Sequence, residues 1–160
     1  MIGRTIFAVV ALLALPGLPW QASGQEPPPA IRAGEHRLPF QARDGLIYIQ
    51  ARVNGSRRTL LIDTGATLTL FTIKAVPEID LDHAVMLNLP KGSVSASRRT
   101  VGLVLGDSDH PERHCAFRLN ALVGAFKFMN ADGVVGLDVL SQFKSVTFDF
   151  KDSVVILEDR

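Results

Sequence analysis

A single carboxylate separates two apolar, β-prone runs at residues 60–71, LLIDTGATLTLF, and this feature most constrains the fold of the chain. An ionised Asp63 between two buried strands would lose its hydration, and this loss must be offset by hydrogen bonds or by a partner group. Gly65 allows a tight turn where a Cβ would collide, and the Thr64 hydroxyl can donate to neighbouring backbone. The sequence therefore predicts a strand, a turn that holds Asp63, and a second strand over Thr67–Ile73.

A second carboxylate that shares one proton with Asp63 is one such partner. Two carboxyl groups about 3–4 Å apart repel by roughly 4 kcal/mol at an effective dielectric constant near 20 when both are ionised. One is therefore ionised and the other protonated over a broad acidic range. Such a pair can deprotonate a water and protonate an amide in the same step. The alternative is a turn Asp that only caps its own loop.

The rest of the chain is predicted to be mainly β. The β-branched and aromatic residues of 46–53 and 59–62 flank Asn54-Gly55, which is typical of a hairpin. Residues 90–97 are small and polar, and we expect them to form the tip between two apolar strands. Further strands are predicted over residues 85–89, 101–105, 117–128, 146–150 and 154–157.

The stretch Asp63-Thr64-Gly65-Ala66, preceded by the apolar Leu60–Ile62, resembles the D-T-G-A signature of aspartic proteases, especially of the single-domain retropepsin-like branch. Val134-Val135-Gly136 resembles the apolar-apolar-Gly loop that braces the catalytic turn in this family. A short helix is expected to follow, because Leu137, Leu140 and Phe143 recur at helical spacing. The resemblance covers residues 46–158 and implies a mainly β fold, a retropepsin-like closed β-barrel with one short C-terminal helix.

A second apolar-apolar-Gly stretch, Leu122-Val123-Gly124, competes for the bracing role. We prefer Val134–Gly136 because the predicted helix follows it directly. Asp138, in the first turn of that helix, is expected to interact with the free backbone amides there rather than to take part in catalysis.

The chain carries one D-T-G and no second copy, so the resemblance implies a homodimer in which each chain contributes Asp63 across a two-fold axis. Thr64 would lock the two turns together. The resemblance also implies a flap that closes over an extended peptide or protein substrate, formed by Pro90, Lys91, Gly92 and Ser93. The implied activity is that of an aspartic endopeptidase without a cofactor or metal. The alternative is a non-catalytic peptide-binding or assembly module on the same fold.

Residues 1–24 show the three parts of a secretory signal peptide, namely the charge of Arg4, the apolar run Ile6–Leu15 and small residues before a cut after Gly24. The run is shorter than the about 20 apolar residues that span a bilayer. We therefore expect export to the periplasm or the extracellular space, without stable membrane insertion after the signal is removed. An uncleaved N-terminal membrane anchor is the alternative. Residues 25–37 form a predicted Pro-rich linker, and residues 38–160 the protease domain.

The composition is that of an ordinary globular protein, with 47 % hydrophobic residues and a formal net charge of +1. Loss of Arg4 with the signal peptide leaves a formal charge of 0, so no basic excess indicates binding to nucleic acid or to an anionic membrane surface. Arg98-Arg99 is expected to form a solvated face. Cys115 is the only cysteine, so we expect no internal disulfide and a buried, inert thiol.

One loop offers side chains of the metal-binding type, namely Asp107, Asp109, His110, His114 and Cys115. Pro111 interrupts this stretch, and its polar character is typical of a loop rather than of a rigid set of ligands. No metal site is therefore predicted.

Overall fold

The computed structural model describes residues 34–77, 84–89, 92–106, 114–128 and 130–160, and the structural statements below concern these residues. They belong to a compact unit that spans residues 31–160. The strands and the helix are β1 Glu35–Arg43, β2 Leu46–Val53, β3 Ser56–Ile62, β4 Leu70–Thr72, β5 Ala84–Leu89, β6 Gly92–Gly106, β7 His114–Gly124, β8 Gly133–Val135, α1 Leu137–Leu140, β9 Ser145–Asp149 and β10 Val154–Glu158.

The strands form one ten-stranded sheet in the order β5-β6-β7-β4-β8-β3-β2-β1-β10-β9, and β2 also pairs with β6. Most neighbours are antiparallel, whereas β3 pairs with β8, and β4 with β7, in parallel. The described residues are thus mainly β with one short helix, as the sequence predicts. The closure of these strands into a barrel stays a prediction.

The tight turns of the sheet follow from local sequence. Asn54 and Gly55 join β2 to β3 with φ values of 48° and 80°. Both residue types tolerate this left-handed region, and such a pair matches the twist of the flanking strands. The predicted Asn54-Gly55 hairpin is therefore confirmed, and the strands predicted near residues 146–150 and 154–157 pair as β9 and β10.

The core lies on the inner side of the sheet, where alternate residues of the strands are buried. Its largest fully buried side chain is Phe71 of β4. The short strand β8 is buried along its whole length between β3 and β4. Gly133 makes this possible, because a Cβ there would lie 2.6 Å from the Leu70 carbonyl oxygen. The three strands β3, β8 and β4 therefore meet next to Asp63.

Two predicted elements are shorter in the structure. The strand expected over Thr67–Ile73 is only Leu70–Thr72, because the Thr67 carbonyl and the Thr69 N–H bond to Asp138, and strand pairing begins with the Thr69 carbonyl, which accepts from the Leu122 N–H of β7. The helix expected to reach Phe143 ends at Leu140. Beyond it the N–H groups of Gln142 and Phe143 donate to carbonyls three residues back, so the chain tightens into turns.

Two segments that were predicted to be loop or linker belong to strands in the structure. Ser93–Ser97, expected in a polar tip, is part of β6 and pairs with β5 from Asn88↔Ser93 to Ala84↔Ser97. Glu35–Arg37, expected in the linker, belongs to β1 because it pairs with β10. In both places backbone hydrogen bonds to a distant strand outweigh the weak local β propensity of small or charged residues.

Several predictions fall outside the described residues. These are the signal peptide over residues 1–24, the linker up to residue 33, Pro90 and Lys91 of the proposed flap, and Asp107, Asp109 and His110 of the loop with metal-type ligands. Among the residues that are described, no helix is both long and apolar enough to cross a bilayer.

Candidate active site

Asp63 stands at the point where β3 leaves the sheet. Its N–H donates to the Val135 carbonyl at 3.1 Å, which extends the β3–β8 ladder by one residue. Its carbonyl accepts from the Ala66 N–H at 3.2 Å, and this bond closes the turn of Asp63–Ala66. Two backbone bonds therefore hold Asp63 from both sides.

The Asp63 carboxylate is only partly buried, and a backbone amide orients it. The Gly65 N–H donates to Asp63 Oδ1 at 2.8 Å. A Cβ at Gly65 would lie 3.1 Å from the same oxygen, tighter than an ordinary contact. Gly65 is thus needed to leave room for the carboxylate rather than to adopt a positive φ.

Val134-Val135-Gly136 lies directly against this turn. The Leu137 N–H donates to the Ala66 carbonyl at 2.8 Å, and the Asp138 N–H donates to the Thr67 carbonyl at 3.2 Å. A Cβ at Gly136 would lie 2.7 Å from the carbonyl oxygens of Ala66 and Leu68. The loop between β8 and α1 therefore touches the turn so closely that glycine is required at its centre.

A buried hydrogen-bond network joins the two halves of the site through Thr69, which is 0 % exposed. Thr69 Oγ1 donates to Asp138 Oδ1 at 2.7 Å, and the Thr69 N–H donates to Asp138 Oδ2 at 3.0 Å. The Gly136 N–H in turn donates to Thr69 Oγ1 at 3.1 Å. The network fixes the distance between the chain after the turn and the start of α1.

The hydrogen-bond partner predicted for Asp138 is wrong. The carboxylate accepts from Thr69 instead of from the first amides of α1, whose N-cap residue Gly136 leaves the helix without a side-chain cap. Sequence reasoning missed Thr69 altogether, since a threonine in an apolar run gives no sign of a partner 69 residues away.

We predict that Thr69→Val lowers the free energy of unfolding by about 1–3 kcal/mol, because Asp138 and the Gly136 amide lose a buried partner. Urea unfolding measures the change. Thr67→Val is the matched control, since the Thr67 side chain is exposed on the same segment. Equal effects of the two substitutions would contradict a structural role for the network.

The competing stretch Leu122-Val123-Gly124 occupies the equivalent place beside a different strand. It pairs in parallel with β4, and the Gly124 carbonyl accepts from the Ile73 N–H at 3.1 Å. The structure therefore brings Val134–Gly136, and not Leu122–Gly124, to the backbone of Asp63.

Gly92 and Ser93 of the expected flap start β6, which forms a hairpin with β5 in the register Leu89↔Gly92. Leu87 and Val94 of this hairpin pack against a cluster of Ala96, Leu122 and Phe126. Leu68 and Leu70, which follow the Asp63 turn, pack against the same cluster. The base of the hairpin is thereby connected to the segment after the turn.

Cys115 is half-buried against the main core and lies outside this site. Burial, and then the nearby Asp159 carboxylate, raise the pKa of its thiol to about 12. A thiol with so high a pKa stays protonated at neutral pH and is a poor nucleophile. Within the described part of the chain, no three His, Cys, Asp or Glu side chains cluster closely enough to hold a metal ion.

The chain is similar to known proteins in sequence and in fold. No protein-family model matches the chain. A curated relative, DNA damage-inducible protein 1 of Yarrowia lipolytica, is 26 % identical in an alignment of 120 residues that covers 71 % of this chain and 28 % of the relative. The chain therefore spans less than a third of the length of that relative.

Among solved structures, a retropepsin-like aspartic protease from Rickettsia conorii is 22 % identical. The alignment covers 81 % of this chain and 94 % of that chain, with a TM-score of 0.55. The retroviral protease-like domain of Ddi1 from Leishmania major is 15 % identical over 66 % of this chain and 82 % of that chain, with a TM-score of 0.45. The first alignment spans most of both chains and shows a shared fold.

Proposed function

From the premise that this chain has the retropepsin-like aspartic protease fold, we propose that it is an aspartic endopeptidase whose catalytic dyad forms across a homodimer. The observation that carries the proposal is the partly exposed Asp63 carboxylate, oriented by Gly65 on a turn that Val135 and Gly136 hold in place. A carboxylate on a rigid turn meets the geometric requirement for a general acid or base. The substrate is a peptide or a protein.

The surface around Asp63 supports the proposed dimer. The Thr64 side chain is exposed and forms no hydrogen bond with any residue that the structure describes. Leu137, bonded through its amide to the turn, is 41 % exposed although it is a large apolar residue. A second copy on a two-fold axis through the turn would cover both side chains and bring the two Asp63 carboxyls together.

In the proposed mechanism the two Asp63 side chains share one proton. The ionised carboxylate takes a proton from a water molecule as that water attacks the carbonyl carbon of the peptide bond. The protonated partner gives its proton to the amide nitrogen, which leaves as the C–N bond breaks. The Gly65 amide keeps the carboxylate oriented, while the Thr69–Asp138 network keeps the turn and the start of α1 from moving apart. No cofactor takes part in these steps.

The proposed place of action is the periplasm or the extracellular space, since residues 1–24 have the pattern of a signal peptide. Detection of an N-terminus at Gln25 in exported material would support this placement, whereas an intact N-terminus in a membrane fraction would favour the anchor.

Mixing wild-type chains with Asp63→Asn chains tests the dyad across a dimer. If each active site needs two Asp63 side chains, peptide cleavage falls with the square of the wild-type fraction, because mixed dimers have one Asp and one Asn. A linear fall would mean that one chain suffices, which contradicts the proposal. Sedimentation of the same samples shows whether dimers exist. Monomers without any cleavage would favour the peptide-binding module.

A further inference from the structure

Charge is segregated over the sheet although it nearly cancels over the whole chain. The four strands β2, β3, β6 and β7 contain six arginines and no Asp or Glu. Acidic residues of the strands lie instead on β1, β9 and β10, at Glu35, Asp149 and Glu158. The strands that carry the arginines are neighbours, in the order β3-β2-β6-β7, through the β2–β6 pairing.

The register places four of these arginines on the outer side of the sheet. Arg52 lies opposite Arg57, and Gly102 lies opposite Arg118. Ala51 and Val53 beside Arg52, and Leu119 beside Arg118, are buried in the core, so Arg52 and Arg118 point outward. Arg57 shares the side of its partner Arg52, and Arg98 shares the side of Gly102, four residues along β6. Arg57, Arg98 and Arg118 are exposed and Arg52 is half-buried. We call this surface the arginine face.

Neutral polar side chains lie next to the arginines on this side of the sheet. Gln50 donates to Thr59 Oγ1 at 3.0 Å, and Thr100 donates to Asn120 Oδ1 at 3.2 Å. The exposed large hydrophobic residues of the described chain all lie on other segments, at Ile73, Val85, Met86, Leu137 and Phe150. The arginine face thus attracts anions. Its larger apolar side chains, Val104 opposite Arg52 and Leu122 opposite Arg98, are partly or fully buried and are not available for insertion.

The residue types on the arginine face favour one kind of anionic partner over a membrane surface or a nucleic acid. Helices and patches that bind membrane surfaces commonly insert apolar or aromatic side chains between lipids. Proteins that bind single-stranded nucleic acid stack its bases on aromatic side chains. The arginine face has no exposed large apolar or aromatic side chain for either purpose. A polypeptide rich in Asp and Glu needs only guanidinium groups and hydrogen-bonding partners, and it fits the face best.

We infer that the arginine face docks acidic segments of the polypeptides on which the Asp63 site acts; only the link to substrates rests on the proposed function. Arg57 precedes Asp63 by six residues along β3, which corresponds to about 20 Å at about 3.3 Å per residue. An acidic segment docked at Arg57 is therefore at least about six residues from the bond that is cleaved.

Binding is tested on the full chain with Asp63→Asn, which leaves the probe intact. The probe is a fluorescent oligoglutamate peptide, and an oligoglutamine peptide is its neutral counterpart. Combining Arg57→Gln, Arg98→Gln and Arg118→Gln should weaken oligoglutamate binding by about tenfold or more at low salt, and high salt should reduce the difference. The matched control combines Lys74→Gln, Lys127→Gln and Lys151→Gln, which remove the same charge from exposed positions elsewhere and should leave affinity within about twofold.

Equal weakening by both triple variants would overturn the inference, because only total charge would then matter. Retention of the wild type on anionic phospholipid vesicles, without binding to oligoglutamate, would overturn it in favour of a membrane surface. In the chain with Asp63, an acidic segment about six or more residues from the cleaved bond should lower KM, and the arginine variants should remove that gain without changing kcat. Cleavage with unchanged KM refutes docking of substrates, whereas docking without any cleavage refutes only the endopeptidase.

Discussion

Replacement of Asp63 by Asn is expected to reduce peptide cleavage by at least about 10³-fold, because an amide can neither take a proton from water nor return one to the leaving nitrogen. The measurement incubates the chain lacking residues 1–24, and its Asp63→Asn variant, with a mixed peptide library from about pH 3 to pH 7, which includes acidic conditions in which a carboxyl pair holds one proton. Mass spectrometry identifies the cuts and the sequence preference around them.

The loss of cleavage in Asp63→Asn should come from the missing proton transfer and not from unfolding of the variant. An Asn at this position keeps an oxygen that can accept the Gly65 N–H, so urea unfolding should change by less than about 1 kcal/mol. Asp44→Asn is the matched control, since Asp44 is exposed in a left-handed turn that Asn tolerates. Cuts that persist in Asp63→Asn would assign the chemistry to another group. Absence of cuts in both proteins would favour the peptide-binding module.

Gly136→Ala is expected to lower the free energy of unfolding by about 3 kcal/mol or more. The added Cβ would lie 2.7 Å from backbone atoms of Ala66 and Leu68, which flexible side-chain movement cannot relieve. Overpacking in a close-packed region costs about 1–3 kcal/mol and more when backbone must shift. Because the shift displaces the Asp63 turn, cleavage should fall as well, even in molecules that remain folded.

Gly102→Ala is the matched control for this substitution. Its added Cβ would meet only Asn54 Oδ1, at an ordinary contact distance of 3.6 Å. The free energies of unfolding of the two variants, measured in urea, should therefore differ clearly. That of Gly102→Ala should lie within about 0.5 kcal/mol of the wild-type value. Similar unfolding midpoints for both variants would show that the loop at Gly136 can move away from the turn at little cost.

Local signals in the sequence were sufficient for much of the sheet. Asn54-Gly55 favours a two-residue hairpin by itself, because only a few residue types adopt positive φ without strain. The break between two apolar runs at Asp63 likewise required a turn. Predicted boundaries were wrong where distant strands decided the outcome, as for Ser93–Ser97, which β5 holds in a strand.

Some residues of the candidate site could likewise be predicted from the sequence, and others became evident only in the structure. Asp63 and Gly65 could be singled out because a charge and a glycine at the join of two apolar runs are visible in the sequence, whereas Gly136 was singled out by the resemblance of Val134–Gly136 to the bracing loop of the family. The partnership of Thr69 with Asp138 was not visible, since it depends on the parallel placement of β8 beside β3. A side chain reveals its type in the sequence but not which distant donor it will meet.

The sequence by itself determined a mainly β chain with one carboxylate on a tight turn, because periodicity and turn chemistry act over a few residues. Tertiary structure alone decided which apolar-apolar-Gly stretch contacts that turn and that Arg52, Arg57, Arg98 and Arg118 share one outer face. Strand register is the physical reason, since pairing between distant segments selects which side chains become neighbours and which face the solvent.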